Sequence, residues 1–132
     1  MMNEPISSIM TVNVQTVTED QTLSEVLGLL KSKKLQHLPV VNGKKLVGII
    51  SSSKLFWLNK PHEEFDKIKV GEVMTRGVAF LEPDDKVGAA AEVLMEHLFH
   101  AIPICNSDHE LLGIVSSYDL LKYQFTKEYP AN

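Results

Sequence analysis

The sequence predicts an α/β protein of the α+β type, with two β-α-β-β-α repeats packed sheet to sheet about a pseudo-two-fold axis. Three observations predict it. The chain of 132 residues is 44% hydrophobic and 23% charged, with 7 Gly and 6 Pro, a balance typical of one ordinary globular unit and unlike a disordered, collagen-like or low-complexity chain. Its two halves repeat: Met10-Thr11 recurs as Met74-Thr75, Val14 as Val78, Asp20 as Asp84, Leu30 as Leu94 and Pro39 as Pro103, each pair 64 positions apart (74 − 10). After one inserted residue, Leu46-Val47-Gly48-Ile49-Ile50-Ser51 matches Leu111-Leu112-Gly113-Ile114-Val115-Ser116. Finally, each half alternates short β-branched runs with a stretch of helical period, in the same order.

Each half opens on an extended stretch, Val14 to Thr18 and Val78 to Glu82. Leu23, Val26, Leu27 and Leu30 then form one face of a helix, matched by Val87, Ala90, Ala91 and Leu94. Thr22 and Glu25 have capping-box spacing at the first helix start, and Asp85 is the expected N-cap of the second. Two strands follow, Leu38 to Val41 and Leu46 to Ile50, joined by the turn-forming Asn42-Gly43-Lys44-Lys45. Their second copies are Ile102 to Cys105 and Leu111 to Val115, joined by Asn106-Ser107-Asp108. A last helix is predicted from about Ser51 and from about Ser116.

The expected organisation is a first repeat over residues 1–58, a polar connector over 59–69, a second repeat over 70–125 and a tail over 126–132. A unit of about 60 residues buries only about 60% of its unfolded surface and is marginal alone. The two repeats are therefore expected to share one core, leaving symmetry-related clefts between them.

Charge and composition exclude several classes. With 13 Lys+Arg against 17 Asp+Glu the formal net charge is −4, which opposes general nucleic-acid binding. No apolar run approaches the roughly 20 residues that span a bilayer, and Met1-Met2-Asn3-Glu4-Pro5 does not resemble a signal peptide. Cys105 is the single cysteine, so no disulfide can form within the chain. The expected location is cytoplasmic, with neither nucleic acid nor membrane as partner.

Ser116 ends a strand and opens a helix, where free N–H groups and the helix dipole favour an anion. Asp119 lies one turn on, and an ionised carboxylate can accept both hydroxyls of a ribose diol. The same spacing also makes a capping box that needs no ligand. Both readings stand at this level. In the first half, the position matching Asp119 is Lys54 (119 − 65), which cannot accept from a ribose and opposes the dipole in a first turn.

Met-Thr upstream, Leu/Ile-Pro-Val/Ile in between, and the segments Gly48-Ile49-Ile50-Ser51 and Gly113-Ile114-Val115-Ser116-Ser117-Tyr118-Asp119 together resemble a tandem pair of cystathionine-β-synthase (CBS) domains, a Bateman module. The resemblance covers nearly all of Ile6 to Tyr123. It implies a sensor of an adenosine-containing ligand (AMP, ADP, ATP or S-adenosylmethionine) that needs no other cofactor, forms a homodimer through helices, and carries no catalytic chemistry. It also implies that Thr11, Val14, Leu35, Gln36 and His37 line the base, that Ile114 lies under it, and that Ser116 and Asp119 hold the ribose. His100 falls where relatives place a phosphate-binding His. Ala101 stands where an Arg is frequent, and its lack of a guanidinium removes a bidentate phosphate clamp. AMP or a nucleoside-like ligand is thereby favoured over ATP. A weaker second pocket would use Thr75, Val78, Phe99, His100, Ala101, Ser51 and Lys54.

His97, His100, Cys105 and His109 include zinc-type ligands, but their spacing fits no closed zinc site. No nucleophile elbow or Walker pattern occurs, so an enzyme is not expected. Leu55-Phe56-Trp57-Leu58 and Leu120-Leu121-Lys122-Tyr123 are apolar enough to offer a partner surface, with Trp57 and Tyr123 nearer the surface. The sequence therefore points to a nucleotide-sensing regulatory module that acts on a separate, unidentified protein. The alternative is a dimerisation scaffold whose pockets no longer bind.

Overall fold

The structure, a computed structural model, describes residues 2–97 and 100–130. It is a mixed helix–strand fold with small antiparallel sheets, and each half follows the expected order. In the first, α1 (Leu23–Ser32) leads to the hairpin β1 (His37–Asn42) and β2 (Lys45–Ser51), then to α2 (Ser52–Trp57). A short helix α3 (Val70–Val73) precedes α4 (Val87–His97), the hairpin β3 (Ala101–Cys105) and β4 (Leu111–Ser116), and α5 (Ser117–Glu128). Thr22 caps α1 by accepting from the Glu25 N–H, as its spacing predicted. Gly43 turns the first hairpin at φ +65°. In the second, the Asn106 side-chain oxygen accepts from the N–H groups of Asp108 and Glu110.

Two local expectations are corrected. The first N–H groups of α4, those of Val87 and Gly88, donate to the Glu4 and Met2 carbonyls, and the Asp85 carboxylate instead accepts from the Glu82 N–H at 2.8 Å, closing the preceding turn. The opening extended stretches make single parallel bridges, Val17 to Val40 and Leu81 to Ile104, and no full strands. Proline explains this. Val17 donates to the Pro39 carbonyl and Val41 donates to Val17; the next rung would need an N–H from Pro39, which has none. Pro103 ends the Leu81 ladder in the same way.

The chain gathers into two compact units that do not follow the linear repeats. One contains residues 1–14 and 79–132, the other residues 15–78. Each repeat's opening segment pairs with the other repeat's second strand: Thr11 bridges Ile114, and Thr75 bridges Ile49. A glycine makes each pairing possible. A Cβ on Gly113 would lie 2.8 Å from the Thr11 carbonyl oxygen and 2.9 Å from the Met10 sulfur, and one on Gly48 would lie 2.7 Å from the Thr75 oxygen and 2.8 Å from the Met74 sulfur. The repeated Met-Thr and Gly are thus the two sides of one contact, made twice.

Buried side chains form one cluster in each unit. Residues 15–78 bury Val17, Leu23, Val26, Leu30, Leu38, Val40, Ile50, Leu55, Phe65, Val70 and Met74 together. Phe65 belongs to the polar connector, where a 3-10 turn over His62–Lys67 drops its ring into this core. The other unit buries Ile6 with Ala90, Leu94, Ile102, Ile104 and Val115. Complete burial of Ile6 contributes about 1.5–3 kcal/mol and anchors the N-terminal arm. Among the described residues, no helix is long and apolar enough to cross a membrane.

Candidate functional site

β4 delivers the candidate site of the first unit. Its last residue, Ser116, accepts from the Asp119 N–H through its hydroxyl at 3.2 Å, and Asp119 Oδ2 accepts from the Ser116 N–H at 2.8 Å. The Ser116 hydroxyl also lies 3.0 Å from the same Oδ2. The capping box that the spacing allowed is therefore formed. It occupies one carboxylate oxygen. Asp119 Oδ1 faces the arm, where the Thr11 hydroxyl donates to it at 3.3 Å.

The antiparallel bridge places Thr11 there. Thr11 donates to the Ile114 carbonyl at 2.8 Å and accepts from the Ile114 N–H at 3.0 Å, which holds its side chain beside the start of α5. Ala101 pairs with Ser116 across the hairpin, and the His100 carbonyl accepts from the Ser117 N–H at 3.1 Å. Thr11, His100, Ala101, Ile114, Ser116 and Asp119 thus meet at one strand-to-helix corner, with Val14 at the arm's end. Leu35, Gln36 and His37 belong to the other unit.

Beside this corner lies a cleft of about 550 Å³, lined by Met10, Thr11, Asp119, Lys122 and Tyr123 among others. Glu4 lines it as well. The Glu4 carboxylate accepts from the Tyr123 hydroxyl and pairs with Lys127. The Lys127 bond, then the Tyr123 bond, pull the Glu4 carboxyl down to about 2. Both partners move up in turn, Tyr123 and Lys127 each chiefly through the bond to Glu4. Sequence reasoning missed this clasp, because Glu4 precedes the repeat and its partners lie more than a hundred residues away. The Tyr123 ring is half-buried.

The second unit builds the same corner from the other set. The Ser51 hydroxyl accepts from the Lys54 N–H at 3.3 Å, Thr75 pairs with Ile49, and the Gln36 carbonyl accepts from the Ser52 N–H at 2.9 Å. His37 lies opposite Ser51. Val78 closes this unit. Leu35 lines a separate recess of about 320 Å³ with Leu27, Leu30, Lys31, Ser52, Leu55, Phe56 and His62. Lys54 is exposed and supplies no acceptor at the corner. Phe99, expected here, lies outside the described residues.

Among the described residues, no three His, Cys, Asp or Glu side chains converge as a metal site. Cys105 is buried in β3, and desolvation pushes its thiol up to about 11.

CBS domains match residues 6–57 and 70–126. The chain is 28% identical to a homoserine O-acetyltransferase of Methanococcus vannielii over 116 residues, 87% of this chain but 24% of that protein. It spans between about a fifth and about half the length of the curated relatives it matches. Among solved structures it resembles CBSX2 of Arabidopsis thaliana in complex with AMP, at 25% identity and a TM-score of 0.86, over 95% of this chain and 98% of that one. It also resembles the CBS domain pair of MJ0100 in complex with 5′-methylthioadenosine and S-adenosylmethionine, at 25% identity and a TM-score of 0.82, with the same two coverages. Two matched stretches, each carrying one copy of the repeated corner, make this chain a member of the CBS domain family.

Proposed function

We propose that the protein is a regulatory module that senses an adenosine-containing ligand at the Asp119 corner and acts on a partner protein. One observation carries this reading. The carboxylate keeps Oδ1 turned away from its own helix cap, toward Thr11 and a cleft of about 550 Å³. An acceptor so placed suits a ribose diol. The AMP, 5′-methylthioadenosine and S-adenosylmethionine named for the CBSX2 and MJ0100 structures support the ligand class. Ala101 leaves the corner without a guanidinium, which favours AMP or a nucleoside-like ligand over ATP. Val14, His100, Ile114, Ser116, Asp119 and the backbone of Thr11 are its proposed ligand contacts in this unit. Acetyl transfer, named for the longer relative, is not part of this proposal. Cytoplasmic action is.

The scaffold reading rests on an observation of its own. Tyr118, Leu121 and Phe125 stand on one face of α5, between 59% and 69% exposed, and Phe56 and Trp57 of α2 are 76% and 77% exposed. Such apolar surface suits a second copy of the chain, and homodimerisation through these helices is proposed under either reading.

Thermal unfolding with AMP, ADP, ATP and S-adenosylmethionine separates the two. A ligand at 100 times its Kd adds about 2.7 kcal/mol of stability. The sensor reading expects a clear rise in Tm with at least one ligand. No shift with any at millimolar concentration leaves the scaffold.

A further inference from the structure

We infer that the Thr11 hydroxyl competes with the ligand for Asp119, so that binding at this corner loosens the N-terminal arm. The inference rests on the ligand reading above and concerns the regulation of that same site.

The argument counts acceptors. A carboxylate offers about four lone-pair positions. The Ser116 N–H and the Ser116 hydroxyl reach Oδ2 at 2.8 and 3.0 Å, and the Thr11 hydroxyl takes one position on Oδ1 at 3.3 Å. A diol needs two positions and one remains. A donor must leave. The Ser116 N–H and hydroxyl both belong to the cap of a 12-residue helix, the N–H making the shortest bond of the three and the hydroxyl being held in place by the Asp119 N–H that it accepts. The Thr11 hydroxyl makes the longest contact, divided between Oδ1 at 3.3 Å and Oδ2 at 3.5 Å, and Thr11 is exposed, so water can take up the released hydroxyl. Thr11 is therefore the donor that gives way.

The consequence reaches the arm because Thr11 is one of its fastenings. Others are the two backbone bonds to Ile114, the Met10 side chain on Gly113, buried Ile6, Glu4 on Tyr123 and Lys127, and, further from the corner, backbone bonds that tie Met2, Glu4, Ile6 and Ser7 to Gly88, Val87, Asp85 and Pro83. Coupling between two equilibria is reciprocal. If the Thr11 bond opposes the ligand, the ligand weakens the Thr11 bond, and the neighbouring Thr11–Ile114 rung opens more often.

Thr11→Val tests this, since valine keeps the β-branched shape and the backbone pairing but cannot donate. Binding of AMP and of S-adenosylmethionine is measured calorimetrically for the full chain, Thr11→Val, Thr11→Ser and Asp119→Ala. Hydrogen exchange follows the Thr11 and Ile114 amides with and without ligand. Expected are tighter binding by Thr11→Val, about two- to tenfold, as when one ordinary hydrogen bond no longer has to be broken, no such gain in Thr11→Ser, which keeps the competing hydroxyl, and loss of binding in Asp119→Ala. Both amides should exchange faster when the unmodified chain is saturated. Unchanged or weaker binding by a folded Thr11→Val, while the unmodified chain binds and Asp119→Ala does not, overturns the competition and leaves the ligand site standing. Absence of binding by the unmodified chain overturns the ligand site, and the competition with it.

Discussion

At the end of β4, Ser116 caps α5 and Asp119 returns the bond to the Ser116 N–H; at the end of β2, Ser51 caps α2, and Lys54 has no acceptor to return. The surroundings are otherwise duplicated. A Met-Thr segment pairs with the strand, a glycine admits it, and a backbone carbonyl at His100 or Gln36 receives the first helical N–H. α5 runs for 12 residues, whereas α2 stops after 6, where Asn59 turns left-handed at φ +55° and Pro61 follows. The pair separates two properties that a motif joins. Packing around Gly and Met-Thr builds the corner, and the third helical residue alone decides what the corner can accept.

The largest effects should fall on what the corners share. Gly113→Ala puts a methyl group 2.8 Å from the Thr11 carbonyl oxygen, and Gly48→Ala puts one 2.7 Å from that of Thr75. Backbone cannot swing aside as a long side chain can. Each substitution should cost about 1–3 kcal/mol, the usual range for overpacking, and denaturant titration should show similar losses for the two. A loss at only one would mean that the corners are not equivalent supports.

Asp119→Ala and Lys54→Ala then break the symmetry. The first should weaken adenosyl-ligand binding at least tenfold and cost about 1 kcal/mol of helix capping; the second should change both far less. Equal losses of binding would assign the working pocket wrongly. Lys54→Asp sharpens the comparison from the other side. It removes a cation from a first turn and supplies the acceptor of a capping box, so stability should rise by about 0.5–1 kcal/mol. An unchanged unfolding midpoint would show that Ser51 cannot use the carboxylate.

Most of the fold was legible because the repeat doubles every signal. The i, i+3, i+4, i+7 spacing of Leu23, Val26, Leu27 and Leu30 marks α1, and its copy marks α4. The corner residues Ser116 and Asp119 were legible for the same reason. Which segment belongs with which hairpin was not. Gly48 and Gly113 stood in the motif, but nothing in their spacing says that each touches the Met-Thr of the other repeat, since pairing across 27 positions in one case (75 − 48) and 102 in the other (113 − 11) leaves no local trace. Phe65 was hidden by a polar connector whose single ring, not its average character, decides its place. The arrest of the opening strands could have been read from Pro39 and Pro103, which lack the N–H the ladder needs. The clasp at Glu4 lies outside the repeat, where doubling gives no help.

That clasp has no counterpart in the second unit, where Ile68 stands at the matching position (4 + 64), and it supplies the smallest effect. Glu4 is held at about 2 in the folded chain, against an ordinary value of 4.5. A carboxyl lowered by folding adds stability above its unfolded value and loses it as pH falls toward the folded one. The contribution should therefore be complete above about pH 5 and fade between 4.5 and about 2. Because the pair with Lys127 is open to solvent, the effect is modest and screened by salt. Comparing urea midpoints of the unmodified chain and Glu4→Gln across that range isolates it. The variant should be slightly less stable near pH 6, and the two curves should converge as the pH approaches 2. Tyr123 and Lys127 are both raised, so the gap should also narrow above pH 10, as the hydroxyl loses the proton it donates to Glu4. A constant difference from pH 2 to pH 10 would show that the Glu4 carboxylate does not fasten the arm, and would leave buried Ile6 and the backbone bonds, the Thr11–Ile114 rung among them, to hold it.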